Sequence, residues 1–260
     1  MPQIQADGCS IHVEVQGRDD APVLMLSNSL GTTLRMWDDQ VQPFTDAFRL
    51  VRYDRRGHGQ SGCPKGPYTM ERLGRDALAV LDALGIEKIN WCGLSMGGMV
   101  GMWLGANAPK RIERLILSNT ACHYADKTFW NERIRTVREK GLAPIIGTNM
   151  ERWFTKDFRQ RAPDTIARMT EMFLSTPREG YLGCCEAIRD MDHRDLLPGI
   201  TAPTLVIAGR YDPATTVEQA EYIRRRIPGA ALHLIDAAHI SNVEQPHDYA
   251  DTVLGFLTQR

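Results

Sequence analysis

One stretch of the sequence decides the fold: residues 90–100, which read NWCGLSMGGMV. An apolar run of strand length at 88–92 leads into a glycine-dense turn, and helix-forming residues follow at 99–107. Glycines at 93 and 97 flank Ser95 in the pattern G-x-S-x-G. A serine between a strand and a helix takes a strained backbone angle, and glycine neighbours let the two elements approach each other. The pattern predicts a nucleophile elbow, and the alternative is an ordinary serine at a glycine-rich helix start.

Length and composition are typical of one large α/β domain. The chain has 260 residues, of which 43% are hydrophobic and 24% charged, and its net charge is −1. That length is enough for a sizeable core and for an inserted subdomain. Because the charge is close to zero, we expect no general attraction to nucleic acid or to a membrane surface. The sequence leaves the oligomeric state open.

The cysteines and the N-terminal residues bear on the cellular compartment. The six cysteines lack paired metal spacing, and the adjacent pair Cys184 and Cys185 suits neither a zinc site nor an ordinary disulfide. We therefore predict reduced thiols, with Cys92 packed in the core beside the elbow. Residues 1–8 have no basic start and no apolar segment, and no apolar run approaches the length of a membrane span. These features predict a cytoplasmic protein.

Strand and helix patterns alternate along most of the chain. A hairpin is predicted from 3–6 and 10–15, because Asp7-Gly8 separates two alternating segments. Further strands are predicted at 22–26, 49–53, 114–117, 203–209 and 231–235, and helices at 37–47, 68–84, 217–227 and 247–257. This alternation predicts an α/β fold with a mostly parallel central sheet and helices on both faces.

The pattern changes between residues 127 and 192, where no strand is predicted. Four helices are predicted there, at 129–140, 142–154, 163–175 and 178–190. Prolines at 144, 163 and 177 lie near the starts of helices, where a missing N–H is harmless. We interpret this part as an inserted helical cap at 121–193, with the core domain formed by 1–120 and 194–260.

Two polar residues follow strands that come after the cap. Asp212 follows the predicted strand at 203–209, and His239 follows the one at 231–235. The carboxyl ends of parallel strands meet at one edge of a sheet, where folds of this class bind ligands. A turn aspartate before proline is common, and a lone histidine is more often structural. Three placements at one edge, in the order Ser95, Asp212, His239, nevertheless predict a catalytic triad.

With these residues in place, the whole chain resembles the α/β-hydrolase superfamily. Three segments also resemble the 3-oxoadipate enol-lactonases of bacterial aromatic catabolism: SNSLGT at 27–32, YDRRGHGQS at 53–61 and GLSMGG at 93–98. The first segment usually begins His-Gly in the wider superfamily, and Asn28-Ser29 stands in its place here, as it does in the lactonase branch. The middle segment occurs in many cap-bearing hydrolases and supports the fold more than the substrate.

The resemblance implies hydrolysis of 3-oxoadipate enol-lactone to 3-oxoadipate, in the β-ketoadipate pathway. Ser95 would be the nucleophile, His239 the base and Asp212 the residue that orients the imidazole. The backbone N–H groups of Met96 and, by its position in the resembling loop, Leu30 would form the oxyanion hole. No metal or organic cofactor is implied, and direct attack of water on the lactone stays open.

The carboxymethyl group of this substrate requires a cation or hydrogen-bond donors in the cap. We predict that Arg133 binds it and that Trp130, three residues earlier on the same helix face, walls the lactone ring. The alternative is a solvated arginine beside a core tryptophan. His123 and Arg189 are secondary candidates. Three polar residues at another strand end are interpreted as hydrogen-bonding supports of their loop: Asp54, Arg55 and His58.

Other functions of the same scaffold stay open. A carboxylesterase, a carbon–carbon bond hydrolase of ring-cleavage products and a thioesterase would use the same triad, and only the cap pocket separates them. A dehalogenase or epoxide hydrolase is disfavoured, because those enzymes use aspartate where Ser95 stands. A small-molecule receptor that keeps the triad and hydrolyses its ligand slowly is the non-enzymatic alternative.

Overall fold

Eight strands form one sheet in a computed structural model that describes residues 3–259. The strands are β1 Gln3–Ala6, β2 Cys9–Gln16, β3 Val23–Ser27, β4 Arg49–Tyr53, β5 Ile89–Leu94, β6 Ile112–Ser118, β7 Thr204–Gly209 and β8 Ala231–Ile235. Their order across the sheet is β1-β2-β4-β3-β5-β6-β7-β8. β2 pairs antiparallel with β1 and β4, and the remaining pairs are parallel. The predicted α/β-hydrolase fold class is confirmed.

Helices cover the sheet because its central strands are apolar on both faces. The helices of the core are α1 Asp38–Thr45, α2 Met70–Ala83, α3 Met96–Asn107, α9 Val217–Arg226, α10 Ser241–Glu244 and α11 Pro246–Leu257. α1 packs against α11, and α2 packs against α3. Within residues 3–259, no helix is both long enough and apolar enough to cross a membrane.

Five further helices lie between β6 and β7. They are α4 Thr128–Lys140, α5 Ile146–Trp153, α6 Lys156–Arg161, α7 Pro163–Leu174 and α8 Arg178–Asp190. α4 packs against α8 and α5 against α7, around buried aromatic side chains that include Phe154 and Phe173. An isolated β-bridge joins His123 to Asp192 at the base of this helical segment. The division of the chain at residues 120 and 193 stays a prediction.

The middle of the sheet is closely packed around the strand that precedes Ser95. All six residues of β5 are buried. The indole N–H of Trp91 donates to the backbone oxygen of Gly97, at 3.1 Å. Cys92 is fully buried, with its Sγ 3.3 Å from the Tyr249 hydroxyl on α11. The predicted place of Cys92 in the core is therefore confirmed, and all six cysteines are free thiols.

Several predicted element bounds were wrong. α3 begins at Met96 and not at residue 99, because the two glycines after Ser95 belong to its first turn. The helix predicted at 142–154 is a 3₁₀ turn, Ala143–Ile145, followed by α5, and the one predicted at 37–47 begins with the 3₁₀ turn Leu34–Trp37. The short helices α6 and α10 were not predicted, because six and four residues carry too little periodicity.

Candidate active site

The G-x-S-x-G pattern forms a sharp turn between β5 and α3. Ser95 has φ 57° and ψ −113°, a backbone conformation that is rare for a residue with a side chain. Its N–H donates to the oxygen of Ser118 at 2.8 Å. A Cβ at Gly97 would lie 2.1 Å from the backbone oxygen of Ser27, and a Cβ at Gly93 would lie 2.1 Å from that of Gly97. Only glycine fits at either position, so the strained serine is held by tight backbone packing.

Asp212 and His239 form a buried hydrogen-bonded pair after β7 and β8. His239 Nδ1 lies 2.8 Å from Asp212 Oδ2, and both side chains are almost completely buried. The other carboxylate oxygen accepts from the N–H groups of Ala214 at 2.7 Å and Thr215 at 3.0 Å. Burial opposes ionisation of Asp212, but the His239 ring and the donated hydrogen bonds outweigh it and lower the pKa of the carboxyl. The carboxylate therefore holds Nδ1 as the protonated nitrogen, which leaves Nε2 as the acceptor.

Two residues that we did not predict position this pair. Thr215 Oγ1 donates to Asp212 Oδ2 at 2.7 Å and lies 3.3 Å from His239 Nδ1. Asn119 has φ 44° and donates from Nδ2 to Asp212 Oδ2 and to the oxygen of Ala238, each at 3.1 Å. Asn119 directly follows β6, so a polar residue at the end of the strand beside β5 was the available signal. Together they tie the loops after three strands to one carboxylate.

Ser95 and His239 line the same narrow cavity, which has a volume of about 40 Å³. Its described lining consists of Ser29, Leu30, Ser95, Met99, Tyr124, Phe129, Trp130, Arg133, Asn149, Arg152, Trp153, Ile188, Ala214 and His239. Ser95 Oγ has no hydrogen-bond partner in the described part of the chain. The structure thus brings the three predicted residues to one site, with the Asp212–His239 bond already made.

Two backbone N–H groups beside Ser95 are free to bind an anion. Among residues 3–259, the amides of Leu30 and Met96 have no hydrogen-bond acceptor. The neighbouring amides are all paired: Ser29 with Met36 Sδ, Gly31 with His58 Nε2, and Gly97 with the oxygen of Asn28. Met96 is also the first residue of α3, where the helix dipole favours negative charge. The unpaired amides are the two that the sequence predicted for the oxyanion hole.

The loop that carries Leu30 is held by buried polar contacts. Asn28 accepts from Trp37 Nε1 and donates to the oxygen of Tyr53, each at 2.9 Å. Arg55 donates to the oxygen of Asn28, and Asp54 accepts from the N–H of Leu34 at 2.8 Å. These contacts fix the backbone that presents the Leu30 amide.

His58 completes the support of this loop. Its Nε2 accepts from the N–H of Gly31 at 3.0 Å, so the ring must be neutral. Burial, followed by the nearby Arg55 guanidinium, lowers the pKa of His58 to about 3. None of Asp54, Arg55 and His58 is among the residues that line the cavity.

The helices between β6 and β7 contribute aromatic and cationic side chains to the cavity. Trp130 and Arg133 both line it, and Arg133 donates to Asn149 Oδ1. The indole nitrogen of Trp130 is buried and has no partner among the described residues. Arg152, at the end of α5, also lines the cavity and was not predicted, since a polar residue in a helix end carries no distinct sequence signal. No aspartate or glutamate is part of the described lining.

The two secondary candidates lie elsewhere. His123 forms the β-bridge with Asp192, and Arg189 pairs with Asp190 through two hydrogen bonds of 2.9 and 2.6 Å. A larger surface groove, of about 600 Å³, runs along α6 but contains none of the predicted triad, so we place the site at the smaller cavity. Within residues 3–259, no group of three or more His, Cys, Asp or Glu residues is placed to hold a metal ion.

The parallel sheet, the elbow at its edge and the Asp–His pair define a class of protein, and the chain belongs to the α/β hydrolase family. The family model described as alpha/beta hydrolase fold matches residues 22–246. The resemblance inferred from the motifs is thereby confirmed at the level of the fold.

Particular relatives narrow the comparison. The chain is 40% identical to 3-oxoadipate enol-lactonase 2 of Acinetobacter baylyi, over 96% of this chain and 94% of the relative. It is 37% identical to 3-oxoadipate enol-lactonase 1 of the same organism, over the same shares. The crystal structure of the enol-lactonase from Burkholderia xenovorans LB400 matches with a TM-score of 0.96 and 42% identity, over 98% of each chain. The predicted resemblance to enol-lactonases is confirmed.

Proposed function

We propose that this protein hydrolyses 3-oxoadipate enol-lactone to 3-oxoadipate, as a carboxylic ester hydrolase of aromatic-compound catabolism. The observation that carries the proposal is the cavity in which Ser95 and His239 face two cap arginines with no acidic residue in the described lining. A cavity of this charge suits an anionic ester. The enol-lactonase relatives, at 37–40% identity over nearly the whole chain, support the same substrate.

Ser95 starts the reaction by attacking the carbonyl carbon of the lactone. His239 accepts the hydroxyl proton at Nε2, while its Nδ1–H stays bonded to Asp212, which stabilises the imidazolium that forms. The carbonyl oxygen becomes an oxyanion and accepts hydrogen bonds from the unpaired N–H groups of Leu30 and Met96. Loss of one such donor costs roughly 10²–10³ in turnover in other enzymes, so these two amides supply a main part of the rate.

Ring opening then breaks the bond between the acyl carbon and the ring oxygen. The leaving group is an enolate, which is a better leaving group than an alkoxide. His239 returns the proton, and the enol tautomerises to a ketone, which draws the opening forward. Water activated by His239 next attacks the acyl-enzyme and releases the new carboxylate and the Ser95 hydroxyl.

Direct attack of water on the lactone is the alternative route, with the same base and the same oxyanion site. The two routes differ in whether a covalent acyl-enzyme forms. Mass spectrometry of enzyme quenched during turnover separates them, because the acyl route adds the mass of the opened lactone to the peptide that contains Ser95.

Substrate recognition belongs to the cap in this proposal. The Arg133 guanidinium lies 5.1 Å from the centre of the Phe129 ring and 6.0 Å from that of Trp130, and it has no acidic partner among residues 3–259. It is therefore available to bind the carboxymethyl group. Trp130 forms the adjacent wall, and its unpaired indole N–H offers a further donor to the ligand.

Charge selectivity tests the assignment. In Arg133→Ala, kcat/KM for the anionic lactone should fall by about 10–100-fold, the range expected for loss of a charge-assisted contact. Hydrolysis of a neutral phenyl ester should change by less than about threefold. Equal losses on both substrates would contradict the role of Arg133. Brisk ester hydrolysis with slow lactone opening in the parent would favour a general carboxylesterase instead.

A cytoplasmic location is part of the same proposal. All six cysteines are free, and five of them are buried. Burial raises the pKa of Cys92 to about 12 and that of Cys184 to about 12, which keeps both thiols protonated. Unpaired thiols of this kind are typical of proteins in a reducing compartment.

A further inference from the structure

The cavity holds more positive charge than a singly charged lactone requires. Arg133 and Arg152 both line it, and neither forms a salt bridge within the described residues. The proposed substrate carries one carboxylate, which one guanidinium can bind. The second arginine is therefore left without a partner by the function proposed above.

Arg152 lies against the same aromatic ring as Arg133. Its guanidinium lies 4.5 Å from the centre of the Phe129 ring, the same ring that Arg133 contacts. The side chain is half-buried, and it makes no hydrogen bond to any described residue. Burial, followed by the charge of Arg133, lowers the pKa of Arg152.

Arg133 and Arg152 both lie against the Phe129 ring without a counter-charge, and of the two side chains only Arg133 makes a hydrogen bond to a described residue, Asn149. Removing a charge from water has a cost that only an opposite charge or hydrogen bonds offset. The carboxylate of the predicted triad, Asp212, is already engaged by His239, Thr215 and Asn119. A ligand with two negative charges supplies a counter-charge to both cations at once.

Hydrolysis changes the charge of the ligand in that direction. Water adds across the acyl–oxygen bond of the lactone, and the new carboxylic acid ionises by releasing a proton to solvent. The ligand passes from one negative charge to two. A cavity with two cations consequently binds the opened product more tightly than a singly charged molecule of the same length.

We propose that Arg152 is a second anion-binding residue and that, together with Arg133, it makes this cavity selective for short dicarboxylates, the class to which the opened product belongs. The inference rests on the proposed function and extends it. Arg152 holds one carboxylate of the dianion while Arg133 holds the other. Short dicarboxylates are therefore inhibitors of this enzyme, and release of its own product is opposed by Arg152.

The test measures binding without catalysis. Adipate and hexanoate have six carbons each and differ in one carboxylate. Their dissociation constants are measured by titration calorimetry with the Ser95→Ala protein, at low and at high salt. The same titrations are repeated after adding Arg152→Gln, Arg152→Lys or Arg135→Gln. Arg135 is the matched control, because it is an exposed arginine on α4 that does not line the cavity.

Adipate should bind Ser95→Ala at least about 10-fold more tightly than hexanoate. Arg152→Gln should weaken adipate by about 10–100-fold and hexanoate by less than about threefold, since a single carboxylate can still use Arg133. Arg152→Lys should keep part of the preference, and Arg135→Gln should keep all of it. High salt should reduce the preference, because the cations are only half-buried.

Three results would overturn the proposal: no preference for adipate, an equal loss of both ligands in Arg152→Gln, or the same loss in Arg135→Gln. If Arg152→Gln does not fold, the proposal is still tested by the salt dependence of the adipate preference and by the preference that Arg152→Lys retains. The proposed function fails separately. If the parent binds adipate preferentially but does not turn over the lactone, the proposed substrate is wrong and the role of Arg152 stands. If it turns over the lactone without preferring adipate, the proposed function stands and the role of Arg152 is wrong.

Discussion

At the scale of single residues, the site depends on which polar atoms are paired and which are left unpaired. Besides its bond to His239, the Asp212 carboxylate accepts four hydrogen bonds, from Asn119 Nδ2, the N–H of Ala214, and both the N–H and Oγ1 of Thr215. Leu30 and Met96 keep their amides free, although the amides around them are bonded. The Asp212 carboxylate is thus fully hydrogen-bonded, while the two amides proposed for the oxyanion hole have no acceptor among residues 3–259.

Substitution of Thr215 tests whether the hydrogen bonds that Asp212 accepts matter for turnover. Thr215→Val keeps the shape and removes the hydroxyl that donates to Asp212 Oδ2, so kcat should fall by about 10-fold with little change in KM. Thr215→Ser, which keeps the hydroxyl, should retain most of the activity. Steady-state kinetics on both variants check this, and full activity of Thr215→Val would show that the hydroxyl is dispensable.

At the scale of elements, the turn from β5 to α3 is the most constrained part of the chain. The close approach of backbone to Gly97 and Gly93 leaves no room for a Cβ. This is why the turn can hold the unusual backbone angles of Ser95. By contrast, Gly147 in α5 is exposed, and a Cβ added there would meet no neighbouring atom within 4 Å.

The two glycines should respond to alanine in opposite directions. Gly97→Ala should lower the free energy of unfolding by more than about 3 kcal/mol, because the contact is with rigid backbone. Gly147→Ala should raise it by about 0.5–1 kcal/mol, since alanine loses less conformational entropy in a helix. Urea unfolding of both variants measures the two values. A mild effect of Gly97→Ala would mean that the elbow can shift.

Some helices, strands and site residues could be predicted from the sequence alone, and others could not. Glycine spacing and apolar runs predicted the parallel sheet and the position of Ser95, because a buried strand and a tight turn each restrict residue type. The short helices α6 and α10 were not predicted, since their few residues carry little periodicity, and the start of α3 was predicted too late because two glycines lie in its first turn. Arg152 and Thr215 were not predicted for another reason: their place in the site depends on neighbours that are distant in the sequence.

At the scale of the whole molecule, one sheet edge collects residues from the entire chain. β3, β5, β6, β7 and β8 run parallel, so the loops that follow them meet. His58 belongs to the support of the first of these loops and is buried as a neutral ring. A buried neutral histidine links the stability of the fold to pH.

The sign of this link is set by the lowered pKa of His58, from its usual 6.5 to about 3. Between these values the unfolded chain binds a proton at this residue and the folded chain does not, so stability falls as the pH falls. The contribution is about 1.4 kcal/mol per pH unit. In His58→Gln, whose side-chain oxygen can still accept from Gly31, the unfolding free energy should depend less steeply on pH across this window.

Chemical unfolding at a series of pH values, parent beside His58→Gln, measures the difference in slope. His193, whose pKa burial lowers to about 4, acts in the same direction but is present in both proteins and cancels. Identical slopes would show that His58 is protonated in the folded state, which contradicts its acceptance of the Gly31 hydrogen bond.

The most direct test of the central claim is ring opening of 3-oxoadipate enol-lactone by the purified protein, followed as loss of lactone absorbance, beside Ser95→Ala. We predict fast turnover by the parent and a fall of about 10⁴-fold or more in the variant. Slow lactone opening beside brisk, Ser95-dependent hydrolysis of simple esters would contradict the substrate, and undiminished turnover by Ser95→Ala would contradict the nucleophile.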